Sequence, residues 1–81
     1  MGKYCMYIKR SKSHEYIQGE IDGIVRTLAK DSSRIDPWFD MEDDSDLIKR
    51  MDVSPEELGH IVYTVERLCP NVIQRIEFEE S

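Results

Sequence analysis

Residues 53–69 carry the start and stop signals of one amphipathic helix, and this helix constrains what the rest of the chain can fold into. Ser54 is an N-cap residue, Pro55 suits the first helical position, and Glu57 completes a capping box. Pro70 ends the helix. The apolar residues recur every three or four positions and form one stripe: Leu58, Ile61, Val62, Val65, Leu68 and Cys69. A stripe this regular must be buried, so we expect the other elements to cover it.

Three further elements are predicted around this helix. Residues 3–10 and 72–79 are rich in aromatic and β-branched residues in alternating patterns, which is typical of strands. Residues 14–30 have the period of a second amphipathic helix, with Ser13 as its predicted N-cap. The apolar stripe of this helix comprises Ile17, Ile21, Ile24, Val25 and Leu28.

The stretch between the two long helices is the least regular part of the chain. Pro37 forbids a continuous helix through it. A short helix is predicted over residues 46–51, with Asp44 or Ser45 as its cap and a basic end that suits the negative end of the helix dipole. Its inward residues would be Leu47, Ile48 and Met51.

These elements predict a single α+β domain over residues 1–81, in the order β-α-(short α)-α-β. The two strands from the chain ends would form a two-stranded sheet with both long helices packed on one face. We favour parallel pairing, since each long helix should then run antiparallel to its neighbouring strand; antiparallel pairing is the alternative. A two-stranded sheet has two open edges, so a homodimer with a four-stranded sheet is expected, against a monomer with short, charged edges.

Composition narrows the class of protein. The 81 residues include 17 acidic and 11 basic side chains, for a net charge of −6. This acidity argues against general affinity for nucleic acid phosphates and is compatible with a basic partner or simply with solubility. No apolar run is long enough to span a bilayer and no secretion signal is recognised, so we expect a soluble, cytoplasmic protein.

No arrangement of residues indicates catalysis or a bound cofactor. Cys5, His14, His60 and Cys69 are the residue types of a zinc site, but His60 and Cys69 lie nine positions apart on one predicted helix. That separation is about 13 Å along the helix axis, so the two cannot bind one ion. No nucleophile elbow, phosphate-binding glycine loop or zinc-protease motif is present. We therefore predict no enzyme, no catalytic residues, no cofactor and no metal.

Two surfaces are candidates for contact with a partner. The first is the acidic and aromatic stretch over residues 36–46, where one aromatic residue is expected to pack on the core while the acids face water. Its candidate residues are Asp36, Trp38, Phe39, Asp40, Glu42, Asp43, Asp44 and Asp46. The second is the outward face of the helix over residues 53–69, which is either a solvated surface or a contact surface, since Tyr and Arg are favoured binding anchors. Its candidate residues are Glu56, His60, Tyr63 and Arg67.

The hypothesis for function is a small acidic binding module that regulates or inhibits a basic protein by direct contact. A target that normally binds nucleic acid would make it partly a mimic of the phosphate backbone, by analogy with small viral inhibitors of host proteins. One alternative is a nucleic-acid-binding module that uses the basic N-terminal strand. Its candidate residues are Lys3, Lys9, Arg10 and Lys12, with Tyr4 or Tyr7 stacking on bases. Another alternative is a structural subunit that associates with itself.

Overall fold

A computed structural model describes residues 2–40 and 46–79 of the chain. The elements are β1 (Gly2–Lys9), α1 (Glu15–Leu28), β2 (Phe39–Asp40), β3 (Asp46–Val53), α2 (Pro55–Leu68) and β4 (Ile73–Glu79), with short 3-10 turns at Arg10–Lys12 and Ser32–Arg34. The described residues form an α+β fold with two helices and one four-stranded antiparallel sheet. Neither helix in the described part is long and apolar enough to cross a membrane.

The sheet has the strand order β2-β3-β1-β4. Two strands that are connected by a helix are therefore not adjacent in the sheet. Helix α1 joins β1 to β2, with β3 between them, and α2 joins β3 to β4, with β1 between them. Each helix therefore connects two strands that run in the same direction, which is why a long crossover is needed. This is the split β-α-β arrangement, repeated twice and interleaved.

The prediction of a short helix over residues 46–51 is wrong, because this segment is the start of the central strand β3. Leu47, Ile48 and Met51 have helical spacing, but Ile48 faces away from the other two. The alternating inward positions are Leu47, Lys49, Met51 and Val53, which pair with inward residues or Gly2 of β1. The alternating strand pattern was not recognised because Lys49 occupies an inward position, and Lys is almost never fully buried. Residues 44 and 45, the predicted caps, lie outside the described part.

The prediction of a two-stranded parallel sheet is also wrong in its number of strands and their direction. The chain ends do pair as expected, but β1 and β4 are antiparallel, with Lys3 opposite Glu79. Four strands form within one chain, so completing the sheet no longer requires a second copy.

The prediction that Ser13 caps α1 is wrong. The Ser13 hydroxyl donates to the Lys9 carbonyl, and His14 holds the N-cap position without a side-chain hydrogen bond.

Both helices and the two central strands contribute to one apolar core. Ile21 and Val25 of α1 and Ile61 and Val65 of α2 are fully buried, as their predicted stripes require. The same cluster includes Met6, Ile8, Ala29, Ile35, Leu47, Met51, Val53 and Val72. Leu68, the last leucine of the predicted stripe, is 38% exposed, because α2 ends there. The core therefore lies between the helices and one face of the sheet, and no helix of residues 2–40 and 46–79 lies over the other face.

The predicted capping box of α2 is confirmed and extends to the end of the first helix. The Ser54 hydroxyl accepts a hydrogen bond from the Glu57 amide at 3.1 Å, and the Glu57 carboxylate accepts from the Ser54 amide at 2.9 Å. The second Glu57 oxygen accepts from the Lys30 amide at 2.6 Å. These backbone bonds, first from Ser54 and then from Lys30, hold the pKa of Glu57 below its usual value near 4.5. One carboxylate thus joins the loop after α1 to the start of α2.

Glu57→Gln should change how stability depends on pH. Because the folded-state pKa is lowered, the stabilisation from the carboxylate is complete above the usual pKa and is lost as pH falls through the lowered value. The difference in unfolding free energy between wild type and Glu57→Gln should be greatest near about pH 6 and shrink towards about pH 3. Urea unfolding at several pH values measures this difference. A difference that does not vary with pH would contradict the role of the charge.

Candidate interaction site at the β2 edge

The segment after α1 lies along the outer side of β3 and forms one edge of the sheet. Ile35 is buried and bridges to Met51, and the Asp36 amide donates to the Arg50 carbonyl at 3.1 Å. Phe39 and Asp40 of β2 then pair with Ile48 and Leu47. We call residues 35–40 the β2 edge. Backbone pairing with β3 at both ends of this segment fixes its position on the sheet.

Trp38 attaches the β2 edge to α1. Its indole Nε1 donates to the Gln18 carbonyl at 3.2 Å, and its ring packs against the core. The Lys49 ammonium lies 4.8 Å from the centre of the same ring, within range of a cation–π interaction. The expectation that one aromatic residue of this stretch packs on the core is therefore met by Trp38.

An ion pair between a buried lysine and a partly exposed aspartate lies beneath the indole. The side chain of Lys49 is fully buried and pairs with the Asp22 carboxylate of α1, whose other oxygen accepts from Arg26 Nε at 2.9 Å. Burial lowers the pKa of Lys49, and the bond to Asp22 opposes that shift. Burial alone would raise the pKa of Asp22, but the hydrogen bonds from Lys49 and Arg26 outweigh it and lower the pKa. The Asp22 carboxylate thus offsets part of the cost of burying the Lys49 ammonium beneath Trp38.

Asp22→Asn should destabilise the protein by about 3 kcal/mol, because it leaves the buried Lys49 ammonium without its counter-charge. The double variant Asp22→Asn/Lys49→Met should recover most of that loss, since it removes the unpaired charge and fills the site with an apolar side chain of similar length. Chemical unfolding of both variants and of Lys49→Met alone completes the thermodynamic cycle. Additive losses in the double variant would show that the two groups are not coupled.

Because Trp38 packs inward, Phe39 is the aromatic residue of the β2 edge that lies at the surface, and it is 47% exposed. Asp36 and Asp40 are exposed on either side of it in the sequence. The Asp40 carboxylate accepts from Arg10 Nη1 at 3.2 Å, and this hydrogen bond lowers the pKa of Asp40. The Arg50 guanidinium lies over the Phe39 ring at 5.8 Å from its centre. Phe39 pairs with Ile48 and Asp40 with Leu47, so the ring and the Asp40 carboxylate lie on opposite faces of the strand.

The remaining acids of the predicted stretch do not all belong to this surface. Asp46 is buried at the start of β3, where Arg75 Nη1 lies 3.8 Å from its carboxylate. Glu42, Asp43 and Asp44 lie outside the described residues. Of the predicted set, the structure places Asp36, Phe39 and Asp40 as exposed residues of the β2 edge, which Trp38 attaches to α1.

The second predicted surface is separate from the β2 edge. Glu56, His60, Tyr63 and Arg67 are all exposed on the outer side of α2. Arg67 lies over the Tyr63 ring at 5.7 Å from its centre, and its Nη1 donates to the hydroxyl at 3.5 Å. The β2 edge instead packs against α1 through Trp38, so the two predicted surfaces lie on different elements.

The face of the sheet that no described helix covers holds Arg50, Arg75 and Glu79, which the sequence analysis did not assign to a site. Tyr7 lies on it, and the Arg75 guanidinium is 3.8 Å from the centre of the Tyr7 ring. Arg50 donates to the Glu79 carboxylate at 2.6 and 2.8 Å across β1. Arg50 was missed because its segment was predicted as a helix; alternation through residues 46–53, with Lys49 accepted as an inward residue, is the signal that places it here. Tyr4, by contrast, packs towards the core.

Comparison of the chain with protein-family models, curated proteins and solved structures finds no match. Without a matching family, the chain is described by its fold and by the β2 edge. It is a small α+β domain with an acidic, aromatic sheet edge.

Proposed function

We propose that this protein is a small acidic binding module that regulates or inhibits a basic protein partner by direct contact through the β2 edge. The observation that supports it most is the exposure of Phe39 on a segment that is fixed to the sheet and whose sequence carries the exposed acids Asp36 and Asp40. An exposed aromatic ring on an acidic segment matches a basic surface that has an apolar pocket.

Charge would bring the partner to this edge. Three acids, Glu42, Asp43 and Asp44, follow Asp40 directly in the sequence, with Met41 as the only intervening residue. A local excess of negative charge speeds encounter with a positive surface and orients the approach. The basic side chains of a nucleic-acid-binding protein are the obvious complement, and the module would then occupy the place of a phosphate backbone.

The fixed backbone would make the contact less costly in entropy. The bridge at Ile35, the hydrogen bond of Trp38 and the pairing of β2 all order the edge before any partner binds. Binding a rigid segment loses less conformational freedom than binding a mobile one, so more of the contact energy appears as affinity. Phe39 would be the central anchor, and the acids around it would form the polar rim.

Affinity capture from an extract of the source cells, at low and moderate salt, tests this proposal. The triple variant Glu42→Gln/Asp43→Asn/Asp44→Asn should recover about tenfold less partner, and Phe39→Ala should weaken binding about thirtyfold, as loss of a central anchor does. The control variant Glu15→Gln/Glu20→Gln/Glu66→Gln removes the same number of charges from the helices and should capture normally. Equal recovery by wild type, the acidic triple variant and Phe39→Ala would reject the proposal.

A second candidate is suggested by the uncovered face of the sheet, where Lys3, Tyr7 and Lys9 lie on the same side of β1. An aromatic ring at the centre of such a face, with cations around it, is a surface on which single-stranded nucleic acid stacks. The acids opposite these cations weaken this candidate: Asp52 and Glu79 flank Lys3 on the neighbouring strands, and Asp46 is opposite Lys9.

Fluorescence anisotropy with a labelled 20-nucleotide oligothymidine distinguishes the second candidate from the first. If the sheet face binds nucleic acid, affinity should fall steeply with salt, and Tyr7→Ala should weaken it about tenfold through lost stacking. Tyr63→Ala, on the outer side of α2, is the control for loss of an exposed tyrosine. No anisotropy change at low salt would eliminate this candidate and leave the first unaffected.

A further inference from the structure

We propose that β4 is a docking edge for a second copy of this chain, with the two β4 strands antiparallel about Ile76 and the two sheets joined into one of eight strands. This interface goes beyond the proposed contact at the β2 edge, because β4 is the last strand at the opposite end of the sheet. The two surfaces can be occupied at the same time.

The outer side of β4 has the features of an edge that can pair. The strand is seven residues long, whereas β2 at the other end has two residues, and no strand lies beyond β4 in the described part of the chain. The irregularity in its pairing with β1 falls near Ile73, so the later residues are regular. A regular edge strand presents a row of backbone donors and acceptors to another strand.

An exposed apolar side chain lies on the same strand. Phe78 is 59% exposed, and its ring packs edge-on against Tyr4 with 5.3 Å between the ring centres. Ile76, two residues before it, is half-buried against the core. The inward side of β4 is therefore apolar up to the rim of the sheet, and a second strand placed beside it would cover that rim.

The charges on β4 select one register. In a joined sheet, the helices of both copies lie on the same side. Residues that face the helices must then lie opposite residues that also face the helices. The two-fold axis therefore passes between the two copies of one residue, which pairs with itself. An axis at Ile76 places Arg75 of each copy opposite Glu77 of the other. An axis at Arg75 or at Glu77 places like charges opposite each other, and an axis at Phe78 places Glu77 opposite Glu79. Since like charges directly opposite are destabilising, Ile76 is the favoured centre.

Arg75 and Glu77 are neighbours on β4, and in this register Arg75 turns from Tyr7 and Asp46 of its own chain towards the second chain. Arg75 Nε lies 3.7 Å from the Glu77 carboxylate of its own chain, and the guanidinium rests on the Tyr7 ring. Both residues are therefore on the face without helices, side by side and exposed. In the dimer, two such pairs would form one alternating group of four charges across the axis, bridging the two chains.

Sedimentation equilibrium over a range of concentrations tests the interface. The mass should rise from the single-chain value of 9.6 kDa towards twice that value as concentration increases. Arg75→Glu and Glu77→Arg should each weaken the dimer about tenfold, because each places like charges opposite at two symmetric positions. Glu20→Arg on α1 makes the same charge reversal as Glu77→Arg away from the edge and should leave the dimer unchanged.

Mixing the two single variants gives the sharper result. One chain then carries Glu at both positions and the other carries Arg at both, so the mixture should form a heterodimer although neither variant forms a homodimer of wild-type strength. Thermal unfolding of each variant alone checks that it is folded, and the double variant Arg75→Glu/Glu77→Arg, with the charges exchanged, should dimerise like wild type. A mass of one chain at every concentration, or a dimer that none of these changes affects, would overturn the proposal.

Discussion

The antiparallel pairing of β1 with β3 is the contact on which the other elements depend. All eight residues of β1, from Gly2 to Lys9, are opposite residues of β3. Each of these strands then carries one outer strand and one helix crossover, because α1 leaves β1 and returns at β2, while α2 leaves β3 and returns at β4. Without the central pair, neither helix would have an apolar surface to cover, and neither outer strand would have a neighbour.

The parts of the fold that could be predicted are those in which one local rule determines the structure. Helix α2 carries its cap, its proline and its apolar stripe within sixteen residues, and its bounds follow from them. Strand β3 could not be recognised in this way because Lys49 occupies an inward position. What makes a lysine acceptable there is the carboxylate of Asp22 on α1, 27 residues earlier, together with the ring of Trp38. No local pattern contains that information, since the compensation comes from tertiary structure.

The candidate site likewise has features that the sequence predicted and features that it did not. The mixture of acids and aromatic residues identified the β2 edge as unusual for a linker, and Trp38 packs inward as that composition suggested. Asp46 could not be separated from its acidic neighbours, because its burial follows from the position of β3 and from Arg75, 29 residues later. The ion pair of Arg50 with Glu79 on the uncovered sheet face was missed for a related reason: the two residues meet there only because β1 lies between β3 and β4.

The position of β1 in the sheet also affects how the chain reaches its folded state. The first strand is flanked by β3 and β4, and Lys3 is opposite both Asp52 and Glu79, 49 and 76 positions away in sequence. Contacts between such distant residues require large loops to close before any pairing energy is gained, which slows folding relative to a helical bundle of the same size. Strand β1 therefore acquires its second neighbour only after β4, 64 positions or more further along the chain, has been synthesised.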